Sequence, residues 1–107
     1  MPGNFTKPEW TVRFNPGKAV KEDLFSGGSL FVGLNCLEPG QTQALHRHPG
    51  ADKFYYVLSG TARVTVGTES QVVEAGTLVW APADMEHGVS EVSEQTVLLV
   101  GMAPPPK

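Results

Sequence analysis

The chain has little of three features that would each place it in a different class of protein. Cys36 is its only cysteine, so no intrachain disulfide framework can form, and its apolar neighbours predict a small buried side chain rather than a reactive thiol. No run approaches the ~20 apolar residues of a membrane span. The 8 lysines and arginines do not cluster and the net charge is -3, so we expect no nucleic-acid partner.

Composition and length predict one soluble globular unit. Hydrophobic residues make up 40% of the chain and charged residues 18%, which is typical of a folded domain rather than a disordered one. At 107 residues, we expect a single domain over residues 1–107. Residues 1–10 lack the basic and then apolar pattern of a secretion signal, so we expect a cytoplasmic protein.

Glycine and proline separate short runs that have the apolar patterns of β-strands, and no segment has a convincing helical period. Strands are predicted at residues 29–37, 54–58, 62–66, 71–74, 78–80 and 96–100, with residues 67–70 as a hairpin connection. Many short strands at regular spacing predict an all-β sandwich or barrel.

The two ends of the chain lack this pattern. We expect residues 1–8 and 103–107 to be flexible unless they pack on a partner. Trp10, Val12 and Phe14 alternate with Thr11 and Arg13. This alternation predicts an extra strand, which either joins its own sheet or pairs across a dimer interface.

All 3 histidines fall in two short segments, His46-Arg47-His48 and His87. In a His-x-His pair on a strand both imidazoles point to one face, because side chains repeat every second residue. A third imidazole from a neighbouring strand would complete a three-nitrogen cap. A lone histidine is more often a surface or core residue, but the turn-forming residues around both segments favour one shared metal site of His46, His48 and His87.

Two spaced motifs frame these histidines. The first reads Gly40, five residues, His46-Arg47-His48, four residues, Lys53, six residues and Gly60. The second reads Gly76, five residues, Pro82-Ala83-Asp84, two residues, His87, three residues and Glu91. With motifs of this spacing over residues 40–60 and 76–91, the chain resembles the small single-domain cupins of the conserved-barrel type. The resemblance implies a double-stranded β-helix, that is, a jelly-roll barrel, and favours a homodimer.

The chain departs from the cupin pattern at three positions. Lys53 stands where the family has a glutamate ligand, which changes the charge of the site by two and removes an oxygen donor. Asp84 replaces an inner glycine, and aspartate tolerates the left-handed backbone that a turn needs. Glu91 replaces the closing asparagine. Asp52 could substitute for the missing ligand only if a β-bulge turned it inward.

The expected site therefore has three neutral imidazoles and open coordination positions. This set suits a divalent transition metal, namely Fe, Zn, Ni, Mn, Co or Cu, and does not choose among them. Lys53 beside a dication would favour an anionic ligand, although its stem could instead pack at the barrel mouth with the ammonium on solvent, Asp52 or Glu86. Tyr55 shares the parity of Lys53 and is the best candidate for a catalytic hydroxyl, but an aromatic in a strand is more often core.

Two hypotheses about function follow, and a third remains open. The ligand set resembles that of the three-histidine dioxygenases of the cupins, so the first hypothesis is a metal-dependent, dioxygenase-like enzyme with Lys53 and Tyr55 as catalytic residues and a small, anionic organic substrate. The alternative is a cupin that binds a metal or small ligand without turnover. Because Lys53 replaces a ligand, a barrel that holds no metal is the third.

Overall fold

Turn residues divide the chain into short strands much as predicted. The computed structural model describes residues 3–106, and within them it contains nine β-strands and one four-residue 3-10 helix. The strands are β1 (Val20–Ser26), β2 (Phe31–Leu37), β3 (Gln43–His46), β4 (Asp52–Ser59), β5 (Thr61–Val66), β6 (Glu69–Glu74), β7 (Leu78–Ala81), β8 (His87–Ser90) and β9 (Thr96–Ala103). The 3-10 helix is Pro8–Thr11. No helix in residues 3–106 is long and apolar enough to cross a bilayer.

The strands form two facing antiparallel sheets. One has five strands in the order β1-β2-β9-β4-β7, and the other has four in the order β3-β8-β5-β6. Alternate residues of β4 point between the sheets: Lys53, Tyr55 and Val57 are buried, whereas Asp52 and Tyr56 are exposed. The main core therefore lies inside this jelly roll and contains Leu37, Tyr55, Val57, Ala62, Val64, Val73, Val89, Val92, Leu98 and Val100.

A second apolar layer covers the outer face of the five-stranded sheet. Leu34 and Cys36 belong to it with Val97, and all three are buried. Val12 and Phe14 of the N-terminal segment pack against this cluster. Cys36 is fully buried, as the sequence predicted, and burial raises the pKa of its thiol.

The predicted N-terminal strand is wrong. Residues 8–11 form the 3-10 helix, and residues 12–15 extend without strand pairing before β1. Pro8 occupies the first turn of the helix, where its fixed φ and missing N–H are tolerated. The alternation of Trp10, Val12 and Phe14 therefore reflects packing of Val12 and Phe14 onto the outer layer, while Trp10 stays exposed.

Three strands, β1, β3 and β8, were not predicted, and one turn was. Strand β1 carries Lys21, Glu22 and Asp23 at a sheet edge, so it has no apolar run to announce it. Strand β3 has only four residues. The hairpin predicted at residues 67–70 is present, with Val66 paired to Glu69 across a two-residue turn.

Candidate metal centre

The three predicted ligands converge at one end of the barrel. His46 ends β3 and pairs in register with His87, the first residue of β8. His48 lies beyond the end of β3, in the connection to β4, so the regular strand assumed for the His-x-His pair stops at His46. One nitrogen from each imidazole lies within 4.8 Å of the other two.

Backbone carbonyls orient two of the rings. Nδ1 of His46 lies 2.7 Å from the carbonyl oxygen of Ala44, and Nδ1 of His87 lies 3.1 Å from that of Met85. A carbonyl can only accept, so Nδ1 carries the proton in both rings and Nε2 keeps its lone pair. This arrangement, in which a backbone oxygen holds the ring N–H, is typical of metal-binding histidines.

The electrostatics favour the neutral form of two of these rings. Burial lowers the pKa of His87 to about 4, and the charges of Lys53, His46 and His48 add to this effect. Burial and then Lys53 also lower the pKa of His48. Nε2 of His87 is buried and has no hydrogen-bond partner within residues 3–106. An unpaired buried acceptor is costly, and a metal ion is the kind of partner that removes this cost.

The donor set therefore fits a divalent transition metal. Three neutral imidazole nitrogens suit iron, zinc, nickel, manganese, cobalt and copper alike, so the ring geometry selects the class of metal and not its identity. Three protein ligands leave positions for water or substrate, unlike the four ligands of a structural zinc site.

Lys53 faces the interior beside this cluster. It is 7% exposed, and its register partners Met102 and Ala81 are apolar. Burial, followed by the charge of Lys21, lowers the pKa of the ammonium to about 8. Its Nζ lies 4.7 Å from the centroid of the Tyr55 ring, which is a cation-π distance.

The carboxylates considered as partners for Lys53 are engaged elsewhere. Asp52 is exposed, and its Oδ1 accepts a 2.9 Å hydrogen bond from the N–H of Ala83. Pairing of β4 with β9 is regular from Asp52 to Val57, so no bulge turns Asp52 toward the histidines. The carboxylate oxygen Oε2 of Glu86 lies 3.9 Å from a guanidinium nitrogen of Arg47. The possibility that Asp52 replaces the missing ligand is therefore not realised.

Tyr55 is fully buried next to Lys53 and the histidines. Its ring centroid lies 6.1 Å from that of His87. Burial raises the pKa of its phenol, so the hydroxyl stays protonated. That hydroxyl donates to Oε1 of Gln43 at 3.4 Å.

Gln43 is an interior residue that the sequence prediction missed. It pairs with the buried Val89, on the inner face that His87 also shares. Gln43 and His46 are three residues apart and would face opposite ways on a regular strand. A register shift between them in β3 brings both to the interior. The residue types of β3 do not predict this register shift.

The other two departures from the cupin motifs are local. Asp84 adopts φ 68°, in agreement with the expected left-handed turn. Its Oδ1 accepts from the N–H of Gly50, and its own N–H donates to the carbonyl oxygen of His48. Asp84 thus connects the loop that carries His48 to the loop that precedes His87. Glu91, with φ 46°, pairs with Arg63 at 2.7 Å on the surface.

A groove of about 240 Å³ lies between the edge strands β6 and β7, and its lining combines apolar side chains with Glu69, Ser70, Gln71 and Thr77. Its lining includes Val66, the register partner of His87, and Val79, the register partner of Tyr55. The groove therefore begins one side chain away from the candidate site.

Comparison with known proteins agrees with this architecture. Residues 33–102 match the family described as Cupin domain, and the chain belongs to this family. Its fold is the double-stranded β-helix predicted from the motifs. Cupins commonly bind divalent metals and small ligands, and the three histidines form a possible metal site of that kind.

Two curated relatives and one solved structure are similar to the chain over most of its length. An uncharacterized protein of Streptomyces coelicolor is 38% identical over 77 residues, which are 72% of either chain. Polyketide synthase CurC of Streptomyces cyaneus is 31% identical over 67% of this chain and 47% of CurC, so the match spans about half of that relative. The crystal structure of TT1209 from Thermus thermophilus superposes with a TM-score of 0.90 at 37% identity, covering 95% of this chain and 98% of that one.

Proposed function

We propose that the protein is a metal-dependent cupin enzyme, dioxygenase-like in its chemistry, that acts on a small, anionic organic substrate. The observation that carries the metal assignment is the cluster of three imidazoles within 4.8 Å, with Nε2 of His87 buried and unpaired in the described part of the chain. His46, His48 and His87 hold the ion. When bound, it supplies Lewis acidity and, in the case of iron, redox chemistry.

Two residues of the chain act on the substrate. Lys53 places a buried positive charge beside the histidines, and an anionic group on the substrate neutralises it. Tyr55 keeps a protonated hydroxyl in the same interior, which donates to Oε1 of Gln43 and can turn to donate a hydrogen bond to the substrate instead. The apolar register partners of Lys53, Met102 and Ala81, favour a small organic substrate over a large sugar. The name of the relative CurC adds polyketides to the compounds worth testing.

The metal assignment is tested by elemental analysis. Protein purified without added metal, and protein reconstituted with Zn²⁺ after chelation, should each contain about one equivalent of transition metal. His46→Ala and His48→Ala should lose it. Arg47→Ala is the matched control, because Arg47 lies between the two histidines, is exposed and contacts Glu86.

The outcomes separate the hypotheses. Metal retained in His48→Ala would show that the site is misassigned. Absence of metal from wild type even after reconstitution would support the open hypothesis of a barrel without metal. Loss of metal in Arg47→Ala as well would point to a damaged loop rather than lost ligands.

Turnover is tested separately with an oxygen electrode. Iron-reconstituted protein should consume oxygen in the presence of a diketone, thiol, phenol or polyketide. Tyr55→Phe should keep its metal and lose turnover, because the phenol is removed while the imidazoles stay. A protein that binds metal but consumes no oxygen with any compound of the panel would support the alternative, a non-catalytic metal-binding or ligand-binding cupin.

We also propose that the protein is a homodimer. Leu78 and Trp80 on the outer face of the five-stranded sheet are 66% and 57% exposed, and Tyr56, the neighbour of Leu78 in register, is 38% exposed. A contiguous exposed apolar patch of this kind is typical of a protein interface.

Light scattering after gel filtration tests the dimer. Wild type should have the mass of two chains, and Trp80→Lys should shift it toward one. Val72→Lys is the control, because Val72 is 58% exposed but lies on β6 of the other sheet. A monomeric wild type would contradict the proposal.

A further inference from the structure

The interior beside the histidines contains a second unpaired polar atom. Nε2 of Gln43 is buried and has no hydrogen-bond partner within residues 3–106. A buried amide donor without an acceptor is destabilising, so its presence needs an explanation. Because Gln43 faces the same interior as His87, a bound ligand can supply the missing acceptor.

Tyr55 contacts two side chains that carry hydrogen-bond donors in the same interior, Gln43 and Lys53. Its hydroxyl donates to Oε1 of Gln43, which leaves Nε2 as the free end of the amide. Its ring face contacts Nζ of Lys53. One buried tyrosine therefore fixes both a neutral N–H donor and a cationic donor.

No carboxylate in the described residues offsets this donor-rich interior. Asp52, next to Lys53 in the chain, accepts a hydrogen bond from the N–H of Ala83. Glu86, next to His87, forms an ion pair with Arg47. Imidazoles that bind a metal are neutral, and the metal ion would add two positive charges. The missing ligand must therefore bring both negative charge and hydrogen-bond acceptors.

We propose that Gln43 Nε2 and Lys53 Nζ form a carboxylate-binding subsite beside the three histidines, so that the natural ligand is a small organic acid. A carboxylate has two oxygens in one plane, one for the amide N–H and one for the ammonium. This inference rests on the proposed function and names its substrate class. It assigns to Gln43 the role of a specificity-determining residue.

The test is a titration followed by ¹H–¹⁵N NMR on Zn²⁺-reconstituted and on chelator-treated protein. The probes are benzoate against benzamide and acetate against acetamide, pairs that match in size and differ in charge. The variants are Gln43→Met, which removes the amide, and Gln43→Glu, which replaces it by a repelling carboxylate. Gln95→Met is the control, because Gln95 is exposed and its amide donates to Glu38, away from the histidines.

At least one acid should bind wild type and Gln95→Met about tenfold or more tightly than its amide, and it should shift the side-chain NH₂ signals of Gln43. Gln43→Met should weaken binding of the acid about tenfold, the effect of losing one hydrogen bond to a charged group. Gln43→Glu should weaken it further. A preference that persists in both Gln43 variants, or NH₂ signals that do not move with either acid, would overturn the proposal.

Metal content of the same samples distinguishes this failure from failure of the proposed function. A Gln43-dependent preference in a wild type that takes up no Zn²⁺ would keep the subsite and reject the metal site. If wild type and Gln43→Met take up Zn²⁺ equally and wild type prefers neither acid over its amide, the metal site is kept and the subsite is rejected. Loss of Zn²⁺ in Gln43→Met would overturn the subsite, because Gln43 would then act on the metal site.

Discussion

Replacing Lys53 by methionine should stabilise the metal-free protein. Burial lowers the pKa of this ammonium from 10.5 to about 8, and a difference of that size corresponds to about 3 kcal/mol of destabilisation when the group is charged. The cation-π contact with Tyr55 returns roughly 0.5–2 kcal/mol of this. Methionine has a similar volume and no charge, so we expect Lys53→Met to raise the free energy of unfolding by about 1–3 kcal/mol at pH 7.

The effect of Lys53 depends on pH in a defined direction. The unfolded chain binds the lysine proton more tightly than the folded protein does, so the destabilisation is fully present below about pH 8. It decreases as the pH rises from about 8 to 10.5, because the folded protein loses the proton first. The advantage of Lys53→Met over wild type should therefore shrink across this range.

Urea unfolding of chelator-treated protein at several pH values measures this advantage. Lys18→Met is the control, because it removes the same charge from an exposed position and should change stability little. If Lys53→Met were less stable than wild type at pH 7, or if its advantage grew with pH, the assignment of Lys53 as a buried, desolvated ammonium would be refuted.

Two further substitutions test the site and the packing on the outer face of the five-stranded sheet. Lys53→Glu should raise Zn²⁺ affinity about tenfold or more, because it restores an anionic oxygen beside the dication; isothermal titration with Lys18→Glu as control measures this, and unchanged or weaker affinity would mean that Lys53 does not face the metal. Gly101→Ala should lower the free energy of unfolding by about 1–3 kcal/mol, because a Cβ there would lie 2.0 Å from the Phe54 ring. Gly28→Ala, where no atom lies within 4 Å, is the control, and equal urea midpoints for the two variants would contradict the packing at Gly101.

Much of the fold could be predicted from local pattern. Strand β4 was found because Phe54–Leu58 is a compact run of aromatic and β-branched residues, and the hairpin after β5 because a short turn joins two strand-like runs. Strand β1 was missed because an edge strand with charged residues buries too little apolar surface to leave a pattern. The N-terminal segment was assigned the wrong structure because packing onto the outer apolar layer produces the same alternation as a strand.

The residues of the candidate site were likewise predicted where local pattern was sufficient and missed where it was not. The spacing of the histidines within the two motifs was sufficient to select His46, His48 and His87, although His48 lies beyond the strand that the parity argument assumed. The parity of β4 placed Lys53 and Tyr55 on one face. Parity failed at Gln43, because the register shift in β3 is a property of strand pairing and not of the residues themselves. It also could not exclude Asp52, since only the regular pairing of β4 with β9 shows that no bulge is there.

The sequence by itself determined the all-β class, the two motifs and the three imidazoles, because these depend on periodicity and residue type along short segments. Only the tertiary structure decided which polar atoms remain buried without a partner. The Nε2 atoms of His87 and Gln43 lie on different strands of one sheet, and Lys53 enters from the other. These atoms become buried only when both sheets have closed around them. Whether a buried polar atom has a hydrogen-bond partner depends on all the residues around it, and these come from both sheets.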